Sequence, residues 1–246
     1  MGRLSLMIDL ERCIGCKSCE VACKQEHGLG PGEYRTKVVW LGDPTRPVLD
    51  FLTVTCQHCE RPACLRACPV NPKAIIKDPE TGVVRVIEDR CTGCGECVIA
   101  CPYGAMGYDP VDHHAVKCDL CADRRAQGRT PACASVCPGY AITFGERADH
   151  LAYAKTEGRT IRDHDHYLMG PATVYLDRRP GNGGMPTNGG DAVAGRARPA
   201  LMDSGPAQAV VARVKTAYPY RQPREERKAD RVEPGGCNIC FNCCST

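Results

Sequence analysis

Between Cys91 and Pro102 the chain reads C-T-G-C-G-E-C-V-I-A-C-P, four cysteines spaced C-x2-C-x2-C-x3-C and closed by proline. This is the known thiolate run of iron-sulfur cubane sites, and it constrains the fold strongly. Three thiolates on one tight loop reach three corners of a cluster, while the fourth, on the helix that follows, serves a neighbouring cluster. Such a run therefore requires a partner run elsewhere in the chain. Gly93 and Gly95 suit a backbone wrapped closely round an inorganic group, since neither carries a Cβ. Pro102 ends the short helix that begins near Glu96.

Three further groups follow the same plan. Cys13, Cys16, Cys19 and Cys23 repeat the spacing with Lys24 in place of proline, so the helix is expected to run on to about His27, where Gly28 and Gly30 stop it. Cys56, Cys59, Cys64 and Cys68, followed by Pro69, have a loop two residues longer. His58 lies inside that loop. Four cysteines already fill a cubane, so His58 is read as a hydrogen-bonding or surface residue in preference to a ligand. In the fourth group Cys118 and Cys121 are separated from Cys133, Cys137 and Pro138 by eleven residues. Those residues include Asp123, Arg124, Arg125 and Arg129, a polar excursion expected to be a solvated loop or a docking element.

Apolar runs of strand length precede three of the groups, at Leu4 to Ile8, Phe51 to Thr55 and Val83 to Ile87. Others follow the prolines, at Ala74-Ile75-Ile76, Ala105-Met106 and Ala141 to Phe144. Strand, cysteine loop, short helix and strand thus form an internal repeat, and the fold class is α+β. The long connection between Lys24 and Thr55 holds the one tryptophan, Trp40, read either as a small-core residue or as a partner contact.

Composition narrows the function classes. Twenty cysteines in 246 residues would suit a disulfide scaffold, but disulfide frameworks do not repeat one ligand spacing four times. The stretch from Met1 to Leu10 carries no secretory-signal pattern, and no apolar run reaches membrane-helix length, so the chain is expected to be soluble or peripheral to a membrane. A formal charge of only +3 makes no case for nucleic acid. From about Gly181 to Gly236 the composition shifts to Gly, Pro, Asn, Arg and Ala, which predicts a largely irregular or partner-wrapping arm. At its end Cys237, Cys240, Cys243 and Cys244 form a fifth set with neither the x3 spacing nor the proline. The readings there are an additional metal or cluster, a thiol that acts in redox chemistry or ligates a partner's metal, or no function at all. The chain therefore divides into a body at 1–180, an arm at 181–236 and a cysteine tail at 237–246.

The body resembles the four-cluster ferredoxin-type subunit of the molybdopterin oxidoreductase family, which includes dimethyl sulfoxide, polysulfide, thiosulfate and nitrate reductases and formate dehydrogenases. The resemblance rests on Cys56-Gln57-His58-Cys59 with Pro62-Ala63-Cys64 and Cys68-Pro69, and on Lys117-Cys118-Asp119-Leu120-Cys121 with Asp123-Arg124, Gly128, Pro131-Ala132-Cys133, Cys137-Pro138 and Phe144-Gly145. It implies a duplicated bacterial ferredoxin-like fold, two interlocked two-cluster units. It also implies four [4Fe-4S] clusters, the first group exchanging fourth cysteines with the fourth group and the second with the third. One cluster would take Cys13, Cys16, Cys19 and Cys137, and the next Cys118, Cys121, Cys133 and Cys23. A third would take Cys56, Cys59, Cys64 and Cys101, and a fourth Cys91, Cys94, Cys97 and Cys68. Spacing alone equally allows adjacent groups to pair. Cys94 stands where some relatives carry tryptophan and a three-iron cluster, so four cubanes are expected.

Nothing in the sequence performs substrate chemistry: no nucleotide loop and no nucleophile-base set stands above composition. The expectation is an electron relay between a molybdopterin-containing catalytic subunit and a membrane anchor or quinone subunit, cytoplasmic or peripheral to the membrane, or exported with a signal-bearing partner. A free-standing polyferredoxin is the alternative. A structural zinc protein is a third reading, but zinc requires neither an exchanged fourth ligand nor the x3-Cys-Pro ending.

Overall fold

A computed structural model of the chain describes residues 2–42 and 49–179. The arm at 181–236 and Cys237, Cys240, Cys243 and Cys244 lie outside the described residues.

In chain order the elements are β1 (Leu4–Asp9), α1 (Ser18–His27), β2 (Thr36–Gly42), β3 (Leu49–Thr55), α2 (Ala63–Ala67), β4 (Ile75–Lys77), β5 (Val84–Val86), α3 (Glu96–Ala100), β6 (Met106–Asp109), β7 (His114–Lys117), α4 (Ala122–Ala126), α5 (Ala132–Ser135), β8 (Ile142–Glu146), α6 (Arg147–Thr156) and β9 (Val174–Leu176). The two expected helices and the expected strands fall within a residue or two of these limits, except that the strand expected at Ala105-Met106 runs on to Asp109. In α1, Gly28 sits in the left-handed region at φ 57° and donates its N–H to Lys24 O, the αL ending that glycine permits.

Four small sheets result. β2 pairs with β3, β4 with β5 and β6 with β7, each antiparallel. The last sheet has the order β8-β1-β9 and joins the two ends of the described chain: β1 runs antiparallel to β8, with Ile8 opposite Ile142, and parallel to β9, with Met7 opposite Val174. The near-continuous burial of β1 has a physical cause, because a central strand covered on both faces reads as an apolar run and not as an alternation. Leu6, Ile8, Leu120 and Leu176 are at most 1% exposed, and each contributes about 1.5–3 kcal/mol by burial.

The core is thin and threaded with sulfur. One apolar cluster joins Leu6, Ile8 and Leu10 to Cys19, Cys56, Cys118 and Cys133, and another joins Ile75, Val84 and Met106 to Cys64, Cys68 and Cys97. α1 packs on α5, and α2 on α3. The helices of the first and fourth cysteine groups are therefore neighbours, as are those of the second and third.

Three features were not anticipated. The polar excursion after Cys121 is partly helical, as α4, and not a loop throughout. The connection before Cys56 is a β2-β3 hairpin, and on it Trp40 is 59% exposed and packs edge-on against Phe51 with ring centroids 5.9 Å apart, so it is no core residue. Beyond Phe144 lie α6 and β9, which have no counterpart in the cysteine repeat.

Candidate metal centres

Each motif loop places its first three cysteines on one side of a short helix, and a cysteine from another group closes the set. Cys13, Cys16 and Cys19 share a hollow with Cys137, and Cys56, Cys59 and Cys64 share one with Cys101. Cys91, Cys94 and Cys97 share a third with Cys68. Counted to their open mouths, these hollows measure about 330, 340 and 310 Å³, close to one another in size. Cys133 is buried beside Cys118, Cys121 and Cys23, the fourth quartet.

The quartets follow one another in a row. Cys19 and Cys133 are electrostatic neighbours across the first step, Cys118 and Cys56 across the second, and Cys64 and Cys97 across the third. The Cys118 and Cys56 quartets are thus the middle pair. The row is most open at its Cys13 end, where Cys16 is exposed and Ile14 beside it is 62% exposed.

The donor chemistry of the hollows fits a cationic metal core. Burial first, and neighbouring cysteines second, push the thiols of Cys19, Cys64, Cys97 and Cys118 up to about 12, and Cys23 up to about 11. The sulfurs so raised stay protonated on their own, whereas hydrogen bonding with Ser18 holds the Cys16 thiol below its ordinary value, and a metal core that displaces the protons is what turns the raised thiols into thiolate ligands. Backbone N–H groups already point at sulfur: His58 N to Cys56 Sγ at 3.4 Å, Leu120 N to Cys118 Sγ at 3.4 Å, Ala115 N to Cys91 Sγ at 3.5 Å and Ala141 N to Cys137 Sγ at 3.2 Å. Donors of this kind favour the thiolate over the thiol.

His58 is 1% exposed, and its Nδ1 accepts the N–H of Val84 at 3.0 Å. Burial, reinforced by nearby Lys117, holds its pKa well below the ordinary value, so the neutral ring carries its proton on Nε2. That N–H meets no acceptor among the described residues. His58 is thus a buried hydrogen-bonding residue, as the four cysteines of its loop led one to expect, and lies next to the hollow's lining residues Gln57 and Cys59 in the chain.

His27, Asp119 and Cys121 bring three ligand atoms together within 4.8 Å, which raises a mononuclear site as a competitor. The hydrogen bonds argue against it. Arg35 Nη1 lies 3.2 Å from His27 Nδ1, and since a guanidinium only donates, Nδ1 is the acceptor and Nε2 carries the proton. Nε2 lies 3.4 Å from Cys121 Sγ, so His27 offers sulfur a donor and not a metal a lone pair. His27 was read from the sequence only as a helix end. The signal that marks it is position: it stands four residues after Cys23 in α1, on the same helix face.

The chain matches the family described as "4Fe-4S dicluster domain" over residues 47–147 and that described as "4Fe-4S binding domain" over residues 5–25. It is 40% identical over 148 residues to the B subunit of the anaerobic dimethyl sulfoxide reductase of Escherichia coli (strain K12), covering 56% of this chain and 71% of the relative. It is 41% identical over 145 residues to the thiosulfate reductase electron transfer subunit PhsB of Salmonella typhi, covering 57% and 74%. Against the B subunit of the polysulfide reductase of Wolinella succinogenes the identity is 36% over 153 residues, covering 60% and 78%.

Proposed function

Since the chain belongs to the family of iron-sulfur electron-transfer subunits of molybdopterin oxidoreductases, we propose that its sixteen body cysteines hold four [4Fe-4S] clusters as four exchanged quartets. The protein is an electron-transfer subunit and not itself an enzyme. It works with a molybdopterin catalytic subunit and a membrane anchor subunit. No helix among the described residues is long and apolar enough to cross a membrane.

The observation that carries the reading is the meeting of four thiols in each of three similar hollows, with a fourth such group buried beside Cys133. When bound, the clusters supply reversible one-electron storage. The chain's own residues do the remaining work. Cysteines from distant repeats fix the spacing along the row, backbone N–H groups stabilise negative charge on sulfur, and apolar side chains line the hollows.

The test combines loading and a ligand variant. Full-length protein purified without oxygen should carry about sixteen irons. Cys68→Ser should damage the centre held by Cys91, Cys94 and Cys97 and leave that of Cys56 largely intact in electron paramagnetic resonance spectra. Half the iron at full occupancy would remove the four-cluster reading, and loss of the Cys56 centre alone would remove the exchange.

A further inference from the structure

Lys117 closes β7 and is 3% exposed. Its Nζ donates to the carbonyl oxygens of Val84 and, at 2.6 Å, of Cys118. Val84 lines the hollow of the Cys56 quartet, while Cys118 belongs to the next quartet in the row. The ammonium therefore stands in the wall between the two middle quartets.

That position is costly. An ammonium withdrawn from water is normally kept beside a carboxylate, because dipoles alone do not replace its hydration. Among the described residues Lys117 binds carbonyl oxygens and no carboxylate. The other groups at this wall do not bind the ammonium: Asp119, the carboxylate nearest Cys118, lies 3.6 Å from Arg35, His58 is neutral, Arg3 is taken by Glu60 at 3.2 Å, and Arg125 is only partly buried and donates to Leu120 O at 2.9 Å. What does face Lys117 is sulfur. Burial raises the thiols of Cys64, Cys101 and Cys118, and Lys117 opposes that rise at all three.

We propose that Lys117 is the shared counter-charge of the two middle clusters, a fixed cation that favours their reduced states over those of the two outer clusters. The inference rests on the four-cluster reading above. Its basis is electrostatic: each added electron makes a cluster more negative, and in a wall from which water is excluded a nearby cation is poorly screened. No proton moves and no bond changes. The effect on the row is a bias toward the reduced state at the Cys118 and Cys56 quartets, which partly offsets the cost that burial sets on added negative charge there.

The test uses full-length protein prepared anaerobically as wild type, Lys117→Met and Lys117→Gln, with the exposed Lys37→Met as a control for overall charge. Iron content of the wild type comes first, because fewer than four clusters there would sink the underlying reading and not this one. Redox titration followed by electron paramagnetic resonance then gives the midpoints, with Cys16→Ser and Cys94→Ser identifying the two outer signals. Two midpoints should fall in each Lys117 variant, each by a tenfold or greater change in the oxidised-to-reduced ratio, about 59 mV for one electron. The outer two should stay with the control. Four unchanged midpoints, or four that move together, would overturn the proposal. So would a failure of both Lys117 variants to load iron while Lys37→Met loads fully, since Lys117 would then serve folding and not potential.

Discussion

Among the described residues two halves hold eight cysteines each, and they close differently. The inner half is contiguous: Cys56 to Lys117 contains the second and third groups, α2 packed on α3, and the hairpins β4-β5 and β6-β7. The outer half is split, with its first group on α1 and its fourth on α4 and α5, more than ninety residues apart. Local contacts nearly suffice for the inner half. The outer half must bring distant segments together, and it carries charged fastenings between the ends of the described chain.

The main fastening is Arg159. It is 7% exposed and binds Asp9 through both terminal nitrogens at 2.8 Å, donates to Asp177 O at 2.9 Å, and lies 3.2 Å from Glu11. Asp9 ends β1 and Asp177 follows β9, so one guanidinium ties together the two strands at the ends of the described chain. A second tie runs from α4 to α1, where Arg124 donates to Glu26 at 2.8 Å. Setting one pair of cysteine groups inside another thus leaves the cysteine plan unchanged and moves the structural burden to the segment after the last body cysteine.

The largest expected effect breaks the comparison at that point. Arg159→Met takes two charged hydrogen bonds from the buried Asp9 carboxylate, which keeps the Glu11 N–H at 2.9 Å and Arg12 at 3.6 Å, and should cost about 3 kcal/mol, all of it from the outer half. Hydrogen exchange should show β1, β8 and β9 opening while β4 to β7 keep their protection, and equal loss in both halves would show that they do not open separately. The pH dependence follows from the same pair. Although burial opposes it, the hydrogen bonds and charge of Arg159 hold Asp9 below its ordinary value of 3.8, so its contribution is fully present above that value and fades only as pH falls through the lower folded-state value. The fastening should thus be constant across the neutral range.

A smaller effect compares one glycine from each half. Gly93 has φ +69°, and a Cβ there would sit 2.1 Å from the backbone oxygen of His113. Gly15 has φ +68°, and its Cβ would meet the Phe51 ring at 2.3 Å. Backbone cannot yield as a ring can. Gly93→Ala should therefore cost about 1–3 kcal/mol and lower iron at the Cys91 quartet, whereas Gly15→Ala should cost less and keep most of the Cys13 quartet's iron. Site-resolved iron loss in the opposite order would show that the inner half is the more yielding one.

The smallest effect sharpens the picture at one ligand. His27→Leu removes the N–H donor 3.4 Å from Cys121 Sγ, and with it some stabilisation of negative charge on sulfur. The midpoint of the Cys118 quartet should fall by less than about 59 mV, the one-electron equivalent of a tenfold change. A rise in that midpoint, measured by redox titration, would mean that His27 does not donate to sulfur.

The cysteine loops, their helices and the returning strands were legible in the chain because each depends on neighbours within about ten residues: ligand spacing, glycines free of Cβ, and a proline that ends a helix. The same locality made the metal class readable. Spacing was silent on which groups meet, since a fourth cysteine on a helix points away from its own loop and gives no address. Only the tertiary structure decided that, by pairing β1 with β8 and packing α1 on α5, which brings Cys137 into the hollow of Cys13, Cys16 and Cys19. Lys117, His27 and Arg159 were opaque for the same reason. A lysine beside a cysteine, a histidine at a helix end and an arginine after a turn look like surface residues in a sequence, and it is burial against distant carbonyls, sulfur and carboxylate that gives each its role.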